Sequence, residues 1–142
     1  MNKKGPIIII EDNKADQRLF EIVFEKICVE NELKFFTDGA EALDYLNNSK
    51  NVPFIIISDI NIPKMNGFEV RERIHQNEEL SLKCVPFLFF STGAEKESIV
   101  NAYALSVQGF FQKPMDVDSL EKTLQRILDY WKDCIAPNDY SS

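Results

Sequence analysis

The sequence lacks the features that would indicate a membrane protein, a metal–thiolate centre or a disulfide scaffold. Its three cysteines (Cys28, Cys84 and Cys134) are odd in number and widely spaced, and none forms a Cys-x-x-Cys pair. We therefore expect free thiols, buried or partly buried, and neither zinc nor disulfides. No apolar run approaches the roughly 18 residues of a membrane span or the roughly 7–15 residues of a signal-peptide core. A cytoplasmic protein without membrane insertion is expected.

Positive charge is also scarce. Lysine and arginine number 16 against 23 acidic residues, which gives a net charge of −7. This balance argues against nucleic-acid binding, which depends on neutralising phosphates, but leaves a basic protein partner open. We see no internal repeat, low-complexity segment or interdomain linker, so one domain is expected over residues 1–142. Its core should span about residues 5–135, with a frayed tail at 136–142.

Short apolar runs alternate with helical patterns along the chain. Four runs, at residues 7–10, 54–58, 87–90 and 109–112, are typical of strands buried on both faces, and a more alternating run at 33–36 suggests an edge strand. Between them lie helical patterns, the last of which is expected to begin at Asp118 or Ser119. Such alternation predicts an α/β fold, a doubly wound five-stranded parallel sheet with helices on both faces.

Polar residues follow the four buried runs at the points where they end. Glu11 and Asp12 follow the first run, Asp59 the second, Ser91 the third and Lys113 the fourth. The carboxyl ends of parallel strands share one edge of the sheet, where ligands bind. We therefore expect these side chains to converge. Together they suit a hard cation and a phosphoryl group.

Three neighbouring carboxylates would raise one another's pKa, and a divalent cation would relieve that conflict. Mg²⁺ prefers oxygen ligands and is commonly held by one or two carboxylates. Asp12 and Asp59 are the candidate direct ligands, the backbone carbonyl of Asn61 is a third, and Glu11 would act through water. The alternative is that Glu11 and Asp12 only cap the first helix.

Asp59 could serve as a ligand alone or as a nucleophile, because aspartate carboxylates form acyl phosphates. Ser91 could then donate a hydrogen bond to one phosphoryl oxygen, and Lys113 could pair with another. Otherwise Ser91 forms a turn and Lys113 is solvated. Pro114 follows Lys113 directly, and a cis bond between them would fix where the lysine points; the sequence leaves that isomer open.

These residues resemble the receiver domains of two-component response regulators over about residues 5–135. The motifs are the acid pair Glu11-Asp12, the turn from Asp59 to Gly67, Ser91, and Phe110 with Lys113-Pro114. Each motif is weak alone, whereas their order and spacing together are specific. The resemblance is to the stand-alone, single-domain type typified by chemotaxis receivers, and it implies the flavodoxin-like strand order 2-1-3-4-5.

The resemblance implies that Asp59 accepts a phosphoryl group from a sensor histidine kinase or a phosphotransfer histidine. It implies Mg²⁺ at Asp12, Asp59 and the Asn61 carbonyl, with Glu11 assisting, and a phosphoryl group bound by Ser91 and Lys113. Ser91 and Phe110 would form the switch, since Phe110 takes the place of the aromatic that turns inward when the hydroxyl residue, here Ser91, moves toward the phosphate. The chain would then be a switch rather than an enzyme, catalysing at most its own phosphorylation and dephosphorylation. Its output surface would lie at residues 95–135 and serve partner binding or a phosphorelay.

Two departures from the family and three rival interpretations accompany this resemblance. Thr92 stands where many receivers have alanine, and Ser106 where a glycine is common. A haloacid-dehalogenase-like phosphatase would need an Asp-x-Asp pair after the first strand, whereas here Asp59 and Asn61 follow the third. A flavin-binding module would need a phosphate loop after the first strand, where this chain has acids. A receiver-like protein that never accepts phosphate would lack some of the five site residues, whereas all five are present in this sequence.

Overall fold

A computed structural model describes residues 1–93 and 95–137. The elements in chain order are β1 (Ile7–Ile10), α1 (Lys14–Lys26), β2 (Leu33–Phe36), α2 (Gly39–Asn48), β3 (Ile55–Ser58), α3 (Gly67–Gln76), α4 (Glu78–Ser81), β4 (Phe87–Ser91), α5 (Lys96–Ala104), β5 (Gly109–Gln112) and α6 (Val117–Asp133). All strands are parallel, in the order β2-β1-β3-β4-β5. The predicted fold and strand order are confirmed. The one-turn helix α4 was not predicted.

Helices cover both faces of the sheet, as predicted. Alternate strand residues point to opposite faces, so Ile7 and Ile9 pack with α1 and α6, whereas Ile8 and Ile10 pack with α2, α3, α4 and α5. All four side chains are fully buried. The unbroken isoleucine run thus follows from burial on both faces, and it places the ends of β1 and β3 in the middle of the sheet.

Helix α6 begins earlier than predicted. Its N-cap is Asp116, whose carboxylate accepts a hydrogen bond from the backbone N–H of Ser119 at 2.8 Å. Asp118 and Ser119 therefore lie inside the first turn, because a capping side chain reaches the N–H about three residues further on. The apolar face of α6 is buried at Leu120, Leu124, Ile127 and Leu128. Ile135 lies beyond the helix and is 73% exposed.

The cysteine prediction is wrong for two of the three thiols. Cys28 and Cys84 are exposed, and Cys134 is half-buried. Cys28 and Cys84 each follow the end of a helix with positive φ values of 56° and 52°. A residue in this conformation ends the helix in a turn at the surface, which explains the exposure of the two side chains.

The predicted frayed tail begins too early. Ala136 is only 3% exposed and belongs to the core on the α1 and α6 side of the sheet. Residues 138–142, also assigned to the tail, lie outside the described residues. Over the described part of the chain, no helix combines the length and apolarity needed to span a membrane.

Candidate functional site

The parallel register brings the polar residues together at one edge of the sheet, as predicted. The N–H of Asp59 donates to the carbonyl of Ile10 at 3.0 Å, and the N–H of Lys113 donates to the carbonyl of Ser91 at 2.8 Å. These bonds continue the ladders of β1 with β3 and of β4 with β5 by one residue. The first residue after β3 and the first after β5 are thereby fixed by backbone hydrogen bonds of the same kind as those within the sheet.

Lys113 lies at the centre of the site, surrounded by carboxylates. Its Nζ donates hydrogen bonds to Glu11 Oε1, to Asp16 Oδ2 at 2.9 Å and to Asp59 Oδ2 at 3.1 Å. An ammonium group has three N–H donors, so the three acids use them all. The lysine side chain is only 9% exposed. The alternative of a solvated lysine is excluded.

Burial, hydrogen bonds and neighbouring charges shift the pKa values of three of these groups. Burial raises the pKa of Glu11 to about 7, although the hydrogen bond from Lys113 opposes that rise. The charge of Asp59 contributes less, so repulsion between carboxylates is a secondary cause here. Burial alone would lower the pKa of Lys113 and raise that of Asp16. The hydrogen bonds that these two groups make with each other and with Glu11 outweigh burial, so the pKa of Lys113 is raised and that of Asp16 is lowered.

Three of the acids form a cluster that could hold a cation. Glu11, Asp12 and Asp59 each offer a carboxylate oxygen, and these oxygens lie within 4.8 Å of one another. Glu11 Oε2 is buried and has no hydrogen-bond partner among the described residues. A buried carboxylate oxygen without a partner is costly, and a hydrated cation would satisfy it. The donor set therefore fits a hard divalent ion.

The turn after β3 is packed tightly beneath Asp59. Asp59 Oδ1 accepts a hydrogen bond from the N–H of Ile60 at 2.7 Å, and the N–H of Gly67 donates to the Ile60 carbonyl at 2.8 Å. A Cβ atom on Gly67 would lie 2.4 Å from the Asp59 carbonyl oxygen, so only glycine fits there. Asn61 is exposed on this turn between buried Ile60 and Ile62.

Ser91 and Phe110 lie on the other side of the site. Ser91 is 4% exposed, and its Oγ accepts a hydrogen bond from the N–H of Gly93 at 3.3 Å. Phe110 is half-buried, with its ring centroid 6.1 Å from that of Phe89. Its ring therefore packs against Phe89 and remains partly accessible to solvent. Thr92 is exposed beside the site.

The peptide bond between Lys113 and Pro114 is trans. The cis isomer that the sequence left open is therefore absent at this bond. The direction of the Lys113 side chain is set instead by the carboxylates of Glu11, Asp16 and Asp59.

Sequence reasoning missed Asp16. The side chain of Asn13 caps α1 by accepting a hydrogen bond from the N–H of Asp16 at 3.0 Å. This cap places Asp16 in the first turn of α1, next to the sheet edge and the lysine. The signal that could have found it is an asparagine followed three residues later by an acid, just after Glu11 and Asp12.

Comparisons with known proteins agree with this geometry. The family model "Response regulator receiver domain" matches residues 7–125. The response regulator Rcp1 of Synechocystis is 30% identical over 95% of this chain and 94% of its own length. The probable methanogenesis regulatory protein FilR2 of Methanothrix harundinacea is 29% identical over 88% of this chain and 82% of its own.

Solved structures of response regulators are also similar to this chain. The phosphorylated cyanobacterial phytochrome response regulator RcpA has a TM-score of 0.82 at 29% identity, covering 93% of this chain and 97% of that one. The Mn²⁺-bound form of Rcp1 has a TM-score of 0.79 at 30% identity, covering 93% and 98%.

The chain belongs to the response regulator receiver domain family. It is a phosphorylation-activated signalling switch of a two-component system. Receiver domains obtain their phosphoryl groups from histidine kinases or phosphotransfer proteins.

Proposed function

We propose that Asp59 is the phosphoacceptor of this switch. A carboxylate oxygen of Asp59 attacks the phosphorus of a phosphohistidine on a sensor kinase or phosphotransfer protein. The new P–O bond forms as the P–N bond breaks, and the leaving imidazole nitrogen takes up a proton. The product is an aspartyl phosphate on this chain and a free histidine on the donor.

The observation that carries this proposal is the position of Asp59 between the Lys113 ammonium and the carboxylates of Glu11 and Asp12. Its Oδ2 lies 3.1 Å from the Lys113 ammonium, and its carboxylate belongs to the acid cluster with Glu11 and Asp12. Its side chain is 15% exposed, so a donor can reach it. A purely structural aspartate would not require solvent exposure, neighbouring acidic residues and the enclosed Lys113 ammonium together.

We infer that Mg²⁺ is the cation of the acid cluster. Asp12, Asp59 and the backbone carbonyl of Asn61 would hold it, and Glu11 would contribute through water. When bound, it would offset the charge that develops on the transferred phosphoryl oxygens. The unpartnered Glu11 Oε2 and the 4.8 Å spread of the cluster support this inference.

Lys113 and Ser91 would bind the phosphoryl oxygens. Lys113 must then exchange at least one carboxylate for a phosphate oxygen, since its three N–H donors are already used. Ser91 is held at the end of β4 with its hydroxyl at the sheet edge. Both residues would act after transfer begins, as the donor oxygens approach Asp59.

Repacking of Phe110 would carry the signal outward to the surface of residues 95–135. Phosphorylation adds about −1.5 to −2 charge and strong acceptor oxygens, enough to reorganise Ser91 and Lys113. Phe110 lies three residues before Lys113 and packs on Phe89, so movement at the site reaches its ring through β5. Phe110 has no hydroxyl, and the switch would therefore work by packing alone. The output would be contact with a downstream protein or relay of the phosphoryl group onward.

The acceptor assignment is tested by intact mass after incubation with acetyl phosphate. Wild type with Mg²⁺ is expected to gain one phosphoryl group, and Asp59→Asn is expected to gain none while keeping its circular dichroism spectrum. Removal of Mg²⁺ should suppress labelling of wild type. Labelling of Asp59→Asn equal to wild type would reject Asp59 as the acceptor.

The switch role of Phe110 is tested by Phe110→Ala. Chemical shifts of backbone amides in residues 95–112 should change less on phosphorylation of the variant than of wild type. An equal change in both proteins would assign Phe110 to the core alone.

A further inference from the structure

We propose that Asp16 is a positioning residue for the phosphoryl-transfer site, the anchor that keeps Lys113 in place while its other partners change. This inference rests on the proposed function of Asp59 and Lys113. It concerns a residue that lies outside the acid cluster and that the sequence motifs did not include.

The three carboxylates around Lys113 differ in whether they also belong to the acid cluster that could hold a cation. Glu11 and Asp59 belong to the cluster that could hold a cation, whereas Asp16 does not, among the residues that the structure describes. A cation at that cluster would draw Glu11 and Asp59 toward itself. A phosphoryl group on Asp59 would further occupy one of its oxygens. Asp16 alone of the three partners has no competing role.

Asp16 is also held independently of the site. Its N–H is fixed by Asn13 at the start of α1 at 3.0 Å, so its backbone position follows from the helix. Its Oδ2 lies 2.9 Å from Lys113 Nζ, and the side chain is 35% exposed. The ammonium is thus tethered to α1 at one N–H and can redirect its other two. A lysine without such a tether would lose rotamer entropy each time it engaged the phosphoryl group.

Two effects of Asp16 on phosphorylation have opposite signs. Its negative charge repels an anionic donor, so removal of charge alone would speed the reaction. Its hydrogen bond positions Lys113, so removal of the anchor would slow it. Hydrogen bonds to charged groups are stronger than those between neutral groups, but the remaining partners of Lys113 compensate in part for the loss. We therefore expect Asp16→Asn to slow phosphorylation about threefold to tenfold.

The test compares Asp16→Asn with Glu21→Gln on the same helix. Glu21 is exposed and pairs with Arg18 at 3.2 Å, so its variant removes one negative charge from α1 without touching Lys113. Labelling by acetyl phosphate is timed by intact mass at Mg²⁺ concentrations that saturate each protein. Asp16→Asn should be slower than wild type, and Glu21→Gln should match it. A rate for Asp16→Asn equal to or above wild type would overturn the anchor role.

A second readout does not require phosphorylation. The Lys113 ammonium is buried, so its signal in a proton–nitrogen correlation spectrum should persist in Mg²⁺-loaded wild type and be lost by proton exchange in Asp16→Asn. An unchanged signal would reject the anchor. Failure of wild type itself to take phosphate would reject the proposed function of Asp59 while leaving this spectroscopic result to decide on Asp16.

Asp16→Glu separates positioning from helix stability. It keeps a carboxylate in the first turn of α1, and it is expected to restore both the Lys113 signal and the labelling rate. If Asp16→Asn changes only the melting temperature, with signal and rate as in wild type, Asp16 merely stabilises the start of α1 and the proposal is wrong.

Discussion

Two buried cations in this chain have contrasting surroundings. Lys113 is enclosed by three carboxylates, and Arg71 by neutral groups: its Nε donates to the carbonyl of Leu105 at 2.9 Å and its Nη2 to that of Ser106 at 2.8 Å. The Arg71 guanidinium also lies 5.7 Å from the ring centroid of Phe87. Burial lowers the pKa of Arg71, whereas hydrogen bonds to acids outweigh burial and raise that of Lys113.

The difference distinguishes Arg71, whose contacts are structural, from Lys113, which is proposed to act in phosphoryl transfer. The groups that Arg71 binds are uncharged carbonyls, and they lie in a turn in which Ser106 adopts a positive φ of 59°. The carboxylates that Lys113 binds are ionisable, and two of them belong to the acid cluster. Arg71 therefore fixes one conformation, whereas Lys113 can exchange partners. Substitutions at the two cations should separate stability from activity.

The largest effect is expected for Arg71→Met. Two hydrogen bonds donated by a charged group would be lost, so the free energy of unfolding should fall by about 3 kcal/mol. Denaturant unfolding measures the change. The labelling rate by acetyl phosphate should stay within about twofold of wild type at temperatures where the variant is folded. A stable variant with slow labelling would contradict the division of roles.

The next effect is expected for Lys113→Met. Loss of the cation that faces Asp59 should slow labelling about hundredfold, equivalent to about 2.7 kcal/mol of transition-state stabilisation. Lys64→Met is the matched control, because Lys64 lies on the turn after β3, is 71% exposed and pairs with Asp38 at 3.7 Å. A similar loss in both variants would show that net charge, rather than the position of Lys113, governs the rate.

A smaller effect is expected on metal affinity. Lys113 and a cation compete for the carboxylates of Glu11 and Asp59, so Lys113→Met should bind Mg²⁺ about tenfold more tightly, a gain of about 1.4 kcal/mol. Isothermal titration calorimetry measures this affinity, with Arg71→Met as the unaffected control. Weaker binding in Lys113→Met would mean that the lysine supports the metal site rather than competing with it.

The smallest effect concerns the helix that links the two regions. Asn66 caps α3 through a capping box with Glu69, and Arg71 lies one turn further along. Asn66→Ala should reduce the free energy of unfolding by about 1 kcal/mol, and Asn66→Asp should restore it. Chemical denaturation of both variants tests this. A loss as large as that of Arg71→Met would show that the cap and the Arg71 contacts unfold as one unit.

Most of the fold could be predicted because the strands are buried on both faces. Such strands appear in the sequence as unbroken apolar runs, and each run ends at the point where the backbone emerges from the core. That is why Glu11, Asp59 and Ser91 were found without coordinates. The start of α6 was misplaced because Asp116 and Asp118 are both able to cap a helix, and only the backbone geometry decides between them.

The contacts of Arg71 and the hydrogen bond from Lys113 to Asp16 could not be predicted. Arg71 binds carbonyls 34 and 35 residues away, and Lys113 lies 97 residues from Asp16 in the sequence. Asp16 was missed because an acid in the first turn of a helix is common for reasons of the helix dipole alone. Cys28 and Cys84 were placed in the interior because composition gives no sign of a positive φ.

The most direct test of the account is to locate the phosphoryl group. Wild type phosphorylated in the presence of Mg²⁺ is treated with sodium borohydride, whose hydride reduces an aspartyl phosphate to homoserine and releases phosphate. Peptide sequencing by mass spectrometry is expected to find homoserine at position 59 and aspartate at positions 12 and 16. Homoserine at either of those positions, with aspartate retained at 59, would contradict the assignment of Asp59 as the phosphoacceptor.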